Sequence, residues 1–219
     1  MLTFYYHPLS PVARRVWIAL LEKDITYQPV VVNLNGDQHK PGFLKLNPFH
    51  RVPVLVDDGF SIVESLAILD YLEKKFPTPS LLPDCPKALA TMRMAQLVTV
   101  NEITTKFGSL TMKEWNPESF EKTIQHIDSA LKFLEKQLGQ SLYFGGDALT
   151  LGDVVVGTTL SLSCRLGVSL EKFPVLKGWF HRVTERKSWQ TTEPSHADFE
   201  TWKRWVSLMV KRSHKRALK

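Results

Sequence analysis

The chain has 219 residues, of which 43% are hydrophobic and 23% are charged, a composition ordinary for a globular protein of one large domain or two small ones. The formal net charge of +6 comes from the C-terminal tail "KRSHKRALK" (Lys211, Arg212, Lys215, Arg216, Lys219), because the rest of the chain has 23 basic and 22 acidic residues; we therefore expect a solvated tail and no nucleic-acid partner. Neither an apolar run of roughly 20 residues nor the flanks of a signal peptide are present, so we expect a cytoplasmic protein with no membrane partner.

The N-terminal quarter begins with a strand, a helix and a second strand. "LTFYY" alternates as a strand does, "VARRVWIALLEK" places Val12, Val16, Ala19 and Leu20 on one helical face, and "YQPVVVNL" is rich in β-branched valine. A strand, a helix and a strand in this order form a βαβ unit. The sequence therefore predicts a parallel strand pair.

A helix-like "KPGFLKLN" follows, and then "VPVLVDDGFSIV" predicts two short strands joined at Asp58-Gly59, a turn pair that accepts positive φ. The helix "SLAILDYLEKKF" completes the pattern βαβαββα. We expect a four-stranded mixed sheet with helices on both sides, which is an α/β domain over residues 1–77.

A proline-rich segment, "FPTPSLLPDCP", cannot continue a helix or join a central strand, and it predicts a linker at 78–87. Beyond it, residues 88–219 show helical periodicity in about five segments, which predicts an all-α domain. The two cysteines, Cys85 and Cys164, form neither a C-x-x-C motif nor a cluster with histidine, so we expect no metal site and no disulfide. In "LTLGDVVVG", Thr150 and Asp153 have the spacing of a helix capping box, which we interpret as a folding feature.

Three polar segments of the first domain are not explained by packing. Ser10 lies in the turn after the first strand, at the positive end of a helix that favours an anion. A cis bond between Val52 and Pro53 would turn the backbone of Val52 outward to pair with a peptide. Glu64 and Ser65 precede a helix, where Ser65 either caps the helix or binds a carboxylate, while Glu64 suits an ammonium group.

The segments "YYHPLSPVARRVWIALLEK", "FLKLNPFHRVPVLVDDG", "SIVESLAILDYLEKKFP" and "LTLGDVVVG" resemble the cytosolic glutathione transferases, in particular the serine-type theta and delta classes and the chi class described from cyanobacteria. The resemblance implies a thioredoxin-like N-terminal domain, an α-helical C-terminal domain and a homodimer. It also implies that glutathione binds as a co-substrate, with no other cofactor, and that the enzyme conjugates it to small hydrophobic electrophiles in detoxification, with peroxidase activity on hydroperoxides as a further option.

The same resemblance implies roles for individual residues. Ser10 matches the group that hydrogen-bonds the glutathione sulfur, and Arg14 or Arg15 is expected to add positive potential, although we expect at least one of them to be a solvated surface residue. The residues matched to glutathione binding are Val52 and Pro53 for the cysteinyl backbone, Glu64 and Ser65 for the γ-glutamyl end, and His50 for the glycyl end. Where the delta class has a histidine this chain has Gln38, so Gln38 or Lys40 is the expected substitute.

The electrophile is expected to contact apolar residues of both domains, for which the candidates are Leu9, Phe107, Met112, Trp115, Trp202 and Trp205. Two other functions stay open at this point. The chain is alternatively a non-catalytic ligand carrier or interaction module that keeps the fold, or a protein that binds nucleic acid through its basic tail.

Overall fold

The computed structural model describes residues 1–217, so Lys219 of the basic tail lies outside the described residues. The chain forms two compact units. The first contains Met1–Leu82 together with Lys187–Thr192, and the second contains Pro83–Arg186 and the chain from Glu193 onward. The division at Leu82 and Pro83 falls inside the proline-rich segment.

The first unit contains a four-stranded sheet, which confirms the predicted thioredoxin-like α/β arrangement. Its elements in chain order are β1 (Leu2–Tyr6), α1 (Pro11–Glu22), β2 (Gln28–Val31), α2 (Pro41–Leu44), β3 (Val54–Asp57), β4 (Phe60–Val63) and α3 (Ser65–Lys75). The strand order is β2-β1-β3-β4, with β1 parallel to β2 and antiparallel to β3. The βαβ unit is therefore present as predicted.

The hairpin between β3 and β4 turns at the predicted dipeptide. Asp58 and Gly59 both have positive φ, 46° and 87°, and Asp57 pairs with Phe60 across the antiparallel ladder. Two residues with positive φ match the twist of the flanking strands. The side chains of the sheet and of helices α1 and α3 then meet in one buried cluster that includes Phe4, Val16 and Leu55.

The short helix α9 (Lys187–Thr192) belongs to the first unit, although it lies more than 100 residues after α3 in sequence. It packs against α1. Glu22 at the end of α1 accepts a hydrogen bond from the Ser188 hydroxyl, and Arg14 donates to two positions of α9. Both halves of α1 are therefore joined to this segment.

The second unit is helical, as predicted. Its five long helices are α4 (Pro86–Val98), α6 (Pro117–Leu138), α7 (Leu151–Arg165), α8 (Pro174–Thr184) and α10 (His196–Ala217). The short α5 (Phe107–Leu110) follows a π-helical turn at Thr99–Ile103, which the sequence analysis did not predict. Among residues 1–217, the helices are all too short or too polar to cross a membrane.

The predicted capping box at the start of α7 is confirmed. Thr150 is the N-cap, its Oγ1 accepts a hydrogen bond from the Gly152 backbone at 3.2 Å, and the Asp153 carboxylate accepts from the Thr150 backbone at 2.7 Å. Reciprocal bonds of this kind satisfy two N–H groups that a helix leaves open at its N-terminus. They fix where α7 begins.

Candidate functional site

Ser10 is the N-cap of helix α1. Its backbone is extended (φ −83°, ψ 111°), and its Oγ accepts a hydrogen bond from the Ala13 N–H at 3.2 Å. Two further bonds within the turn hold it in shape, from the Ser10 N–H to the His7 carbonyl at 2.9 Å and from the Leu9 N–H to His7 Nδ1 at 3.1 Å. The half-buried hydroxyl is thus fixed at the start of the helix.

This arrangement suits an anion such as a thiolate. A serine hydroxyl has one hydrogen to donate and two lone pairs to accept with, and the bond from Ala13 uses only a lone pair. The hydroxyl hydrogen can therefore be donated to a negatively charged atom near the turn. The N-terminus of α1 adds its partial positive charge at the same place.

The expectation that at least one of the two arginines is a solvated surface residue is wrong, because both Arg14 and Arg15 are buried. The Arg14 guanidinium donates to the Thr192 hydroxyl and to the Trp189 carbonyl, each at 3.0 Å. Burial lowers the pKa of Arg15 to about 10, so this side chain stays protonated near neutral pH. The contacts of Arg14 favour a role in packing α9 onto α1, and an effect of either arginine on a thiol stays a prediction.

The peptide bond between Val52 and Pro53 is cis, and it lies directly before strand β3. The loop before it is held by Asn47, a buried side chain that the sequence analysis missed. Its amide donates to the Arg51 carbonyl at 2.7 Å and its Oδ1 accepts from the Phe49 N–H at 3.0 Å. An asparagine after a short helix and before a proline is typical of such a turn and was the available signal.

Glu64 and Ser65 lie at the junction of β4 and α3, but their roles in the helix differ from the prediction. The helix begins at Ser65, so Glu64 and not Ser65 is the N-cap, and the Glu64 side chain makes no capping hydrogen bond. Glu64 has a positive φ of 68° and is exposed, whereas Ser65 is buried. The exposed carboxylate is accessible to a cationic ligand group.

The residues expected at the glycyl end of glutathione make contacts within their own loop. The Gln38 amide donates to the Leu34 carbonyl at 2.6 Å and accepts from the Gly36 N–H at 3.0 Å. Lys40 forms an ion pair with Asp37 at 2.7 Å, and this contact, with an N–H from Asn33, holds the pKa of Asp37 below its usual value. These bonds make Gln38 a poorer candidate ligand than Lys40, whose side chain is mostly exposed.

His50 is exposed, has a positive φ of 57°, and lies close to a second histidine. Its ring centroid is 4.9 Å from that of His39, with the ring planes tilted by 48°. The two imidazoles therefore form one polar surface beside the loop that precedes Val52. A role for this surface in binding a carboxylate stays a prediction.

The candidate electrophile residues fall in both units. Leu9 lies in the turn before α1 in the first unit, and the other five lie in the second unit. Of these, the buried Phe107 meets Trp202 edge to face, with ring centroids 6.5 Å apart, while the Lys211 ammonium lies 5.4 Å from the Trp115 ring. Met112 and Trp115 are half-buried and Trp205 is exposed. The role of this set stays a prediction.

Residues 1–217 bring together no group of three or more metal-ligating side chains.

Comparison with known proteins gives the same family for both units. The family model for the glutathione S-transferase N-terminal domain matches residues 4–80, and that for the C-terminal domain matches residues 98–187. Glutathione S-transferase D7 of Drosophila melanogaster is 33% identical over 187 residues, which cover 81% of this chain and 82% of that protein.

Solved structures agree with the sequence comparison. A delta-class glutathione transferase of Nilaparvata lugens is 25% identical, with a TM-score of 0.80 over 95% of this chain and all (100%) of the other. A glutathione transferase homologue from Sulfitobacter, solved with bound glutathione, is 26% identical with a TM-score of 0.75 over 87% of this chain and 96% of the other.

Proposed function

Because this chain belongs to the glutathione S-transferase family and is a glutathione transferase, we propose that Ser10 is the residue that activates the glutathione thiol. The observation that carries the proposal is the hydroxyl of Ser10 at the N-cap of α1, where it accepts from the Ala13 N–H and retains its hydrogen for donation. This assignment makes the protein a serine-type member of its family.

The size of the effect follows from the strength of one hydrogen bond. A free thiol has a pKa near ~8.5, and a hydrogen bond to a charged group is worth about 1.5–3 kcal/mol. Because one pKa unit corresponds to about 1.4 kcal/mol, donation by Ser10 lowers the pKa of the thiol by about one to two units. The bound thiol then has a pKa of about 6.5–7.5, so roughly a quarter to three-quarters of it is thiolate at pH 7.

The reaction is a nucleophilic substitution or addition. The thiolate sulfur forms a bond to an electrophilic carbon, the leaving group departs with its electron pair where there is one, and the thiol proton goes to solvent. Ser10 keeps its own proton throughout and stays covalently unchanged. Position 10 holds no cysteine, so a mixed disulfide with glutathione is not part of this mechanism.

The remaining contacts of glutathione are proposed on the matched residues. The backbone of Val52, before Pro53, pairs with the cysteinyl residue of the tripeptide. The exposed carboxylate of Glu64 and the start of α3 at Ser65 bind the γ-glutamyl ammonium and carboxylate. Lys40 and the His50 surface bind the glycyl carboxylate, with Gln38 as a weaker candidate.

The second substrate is proposed to be a small apolar electrophile. The candidates for contact with it include the aromatic side chains of Phe107, Trp115 and Trp202 in the second unit, none of which has a fixed charge. Trp205, which is 44% exposed on α10, is the candidate least suited to line such a pocket. An apolar pocket distinguishes neighbouring substrates by only about 1–3 kcal/mol per methylene, so a broad range of electrophiles is expected. The proposal also includes a cytoplasmic location and a homodimer. The homodimer is tested by light scattering, which measures the molar mass in solution.

The test of Ser10 is the ultraviolet absorbance of the bound thiolate as a function of pH. We expect the native protein to hold glutathione with a thiol pKa well below ~8.5, and Ser10→Ala to bind glutathione but lose most of that shift. Equal, unshifted titrations of the two proteins would show that Ser10 is not the activating group. A protein that binds no glutathione at all would contradict the proposed site.

A further inference from the structure

The C-terminal helix α10 carries an exposed apolar stripe. Trp205, Leu208 and Met209 are 44%, 55% and 46% exposed, and they are followed by Arg212 at the next turn. Residues three and four positions apart lie on one side of a helix, so these side chains share a face with Arg204 beside them. We call these five residues the outer face of α10.

The outer face is not needed to hold α10 in the second unit. The side of the helix that carries the buried Phe199 does this, and Trp202, at the edge of the outer face, packs against Phe107. Further along the helix, Val210 packs closely against Gly108 of α5. A Cβ atom added to Gly108 would lie only 3.1 Å from Cγ2 of Val210. Because one side is packed, the stripe on the other side is apolar surface that faces solvent.

The charges from Thr201 onward have one sign, and the acidic residue before them, Glu200, lies one turn before Arg204. From Thr201 to Lys219 the sequence contains seven basic residues and no acidic residue. One of these, Lys203, lies 3.8 Å from Glu114, whereas Arg204 and Arg212 flank the apolar side chains on the outer face and are exposed. Amphipathic helices that lie in the interface of an anionic bilayer typically expose tryptophan, leucine and methionine side chains beside arginines.

We propose that the outer face of α10 binds the surface of an anionic lipid bilayer, with the helix lying in the plane of the interface. Trp205, Leu208 and Met209 enter the boundary between headgroups and acyl chains, and the arginines contact lipid phosphates. A second copy of this chain is a poor occupant, because two such basic faces repel each other. A nucleic acid would contact the arginines but would leave Leu208 and Met209 in water.

This binding is peripheral, so it agrees with the finding that the helices of residues 1–217 are too short or too polar to span a membrane. It differs from the expectation, drawn from the sequence, that the protein has no membrane partner. The basic tail by itself predicts a solvated segment, and the structure adds an exposed apolar stripe beside it. The proposal does not depend on glutathione transferase activity, and it is tested by lipid binding alone.

The experiment is co-sedimentation of the full chain with vesicles of phosphatidylcholine containing about 30% phosphatidylserine, and with phosphatidylcholine alone. At about 0.1 M salt we expect roughly tenfold or stronger binding to the anionic vesicles, weakened by higher salt because exposed charges are screened. Two double variants probe the face, Leu208→Ser with Met209→Ser and Arg204→Ala with Arg212→Ala. Each is expected to weaken binding about fivefold or more.

Two matched control variants replace exposed apolar or basic side chains elsewhere in the second unit. Leu142→Ser with Val175→Ser removes two exposed apolar side chains, and Lys132→Ala with Lys136→Ala removes two exposed charges from α6. Both controls are expected to bind like the native protein, and circular dichroism confirms that all four variants are folded. Equal affinity for neutral vesicles, no binding to anionic vesicles, or equal losses in face and control variants would each overturn the proposal. So would binding to a duplex oligonucleotide in place of the vesicles.

Discussion

Asp153 and Trp179 are joined by a hydrogen bond of 2.7 Å from the indole Nε1–H to carboxylate Oδ1, and both side chains are buried. The same carboxylate accepts from the Phe144 N–H at 2.9 Å and from the Thr150 N–H at 2.7 Å. One acidic side chain thus connects the start of α7 with α8 and with the loop before α7. The capping box predicted from sequence is the local part of this larger network.

We expect Asp153→Asn to lower the free energy of unfolding by about 3 kcal/mol or more, because an amide cannot accept from all of these donors and each buried donor left without an acceptor costs about 1–3 kcal/mol. Denaturant unfolding measures this, with the exposed Asp147→Asn as the matched control. A loss no larger than that of the control would show that the network does not stabilise the fold.

The cost of Asp153→Asn also depends on pH. Burial raises the pKa of Asp153 to about 6, even though its hydrogen bonds act in the opposite direction. The folded state therefore binds more protons than the unfolded state between about pH 4 and pH 6, and the contribution of this carboxyl to stability falls as pH rises through that range. We expect Asp153→Asn to cost more at pH 4.5 than at pH 7, and a pH-independent cost would contradict the raised pKa.

Much of the fold follows from local sequence patterns. The alternation in "LTFYY", the Asp58-Gly59 pair and the Thr150–Asp153 spacing each specify a structure within a few residues, so the sheet, its hairpin and the start of α7 were predictable. The docking of α9 on α1 was not, because Arg14 and Thr192 are separated by 178 positions. A charged side chain in a helical pattern normally indicates a solvated position, and only this distant partner explains its burial.

In the candidate site, too, some features were predictable from the local sequence and others were not. Ser10 was placed correctly at the start of α1, since a proline-rich turn followed by a periodic helix is a local signal. The cap lies one residue before the predicted position, at Glu64, whose positive φ leaves no mark on composition. The contacts that use the Gln38 amide within its own loop were equally invisible, since they depend on the path of the backbone.

Ser10 has two roles, as a helix cap and as the proposed donor to sulfur, and two substitutions separate them. Ser10→Ala is expected to lower stability by about 1 kcal/mol, whereas Ser10→Gly costs only a few tenths because glycine is a good N-cap residue. Both remove the hydroxyl, so both are expected to lower kcat/KM about 10- to 150-fold. Steady-state kinetics beside thermal unfolding measures this. Activity that follows stability, with the glycine variant near native, would assign Ser10 to capping alone.

Arg14 is expected to stabilise the contact between α1 and α9. Arg14→Ala removes the charged hydrogen bonds to the Thr192 hydroxyl and to the Trp189 carbonyl, and because a hydrogen bond of a charged group is worth about 1.5–3 kcal/mol, we expect the free energy of unfolding to fall by at least that much. Hydrogen exchange should accelerate at 187–192, with less change in Arg14→Lys, which keeps the charge. A pKa of bound glutathione that is raised in Arg14→Ala and restored in Arg14→Lys, with unchanged exchange, would instead assign Arg14 to the thiol.

The ion pair between Lys23 and Glu73 is buried in the first unit, with Nζ and Oε1 2.6 Å apart. Oε1 also accepts from the Leu81 N–H at 3.1 Å, and the lysine donates to the Pro79 carbonyl. The pair thus connects α1 and α3 with the segment after α3. Removing one partner leaves the other charge buried, so Lys23→Met is expected to cost about 3–5 kcal/mol.

A double variant tests whether this cost comes from the charge left behind. Lys23→Met with Glu73→Met removes both charges and keeps most of the volume, so we expect it to recover part of the loss seen in Lys23→Met alone. Urea unfolding of the double variant, the two single variants and the native chain gives the comparison. If the double variant loses as much unfolding free energy as the sum of the two single variants, the two side chains act independently.

The two free cysteines are expected to differ in reactivity. Cys85 is exposed at the N-cap of α4, where the nearby backbone N–H groups of Ala88 and Lys87 lower the pKa of its thiol, whereas burial raises the pKa of Cys164 to about 11. Because the thiolate is the reactive form, iodoacetamide at pH 8 should alkylate Cys85 about tenfold faster or more. Peptide mass spectrometry over time measures both rates, and Cys85→Ser is expected to leave a protein that reacts only slowly. Equal rates at the two positions would mean that the N-terminus of α4 does not stabilise the thiolate.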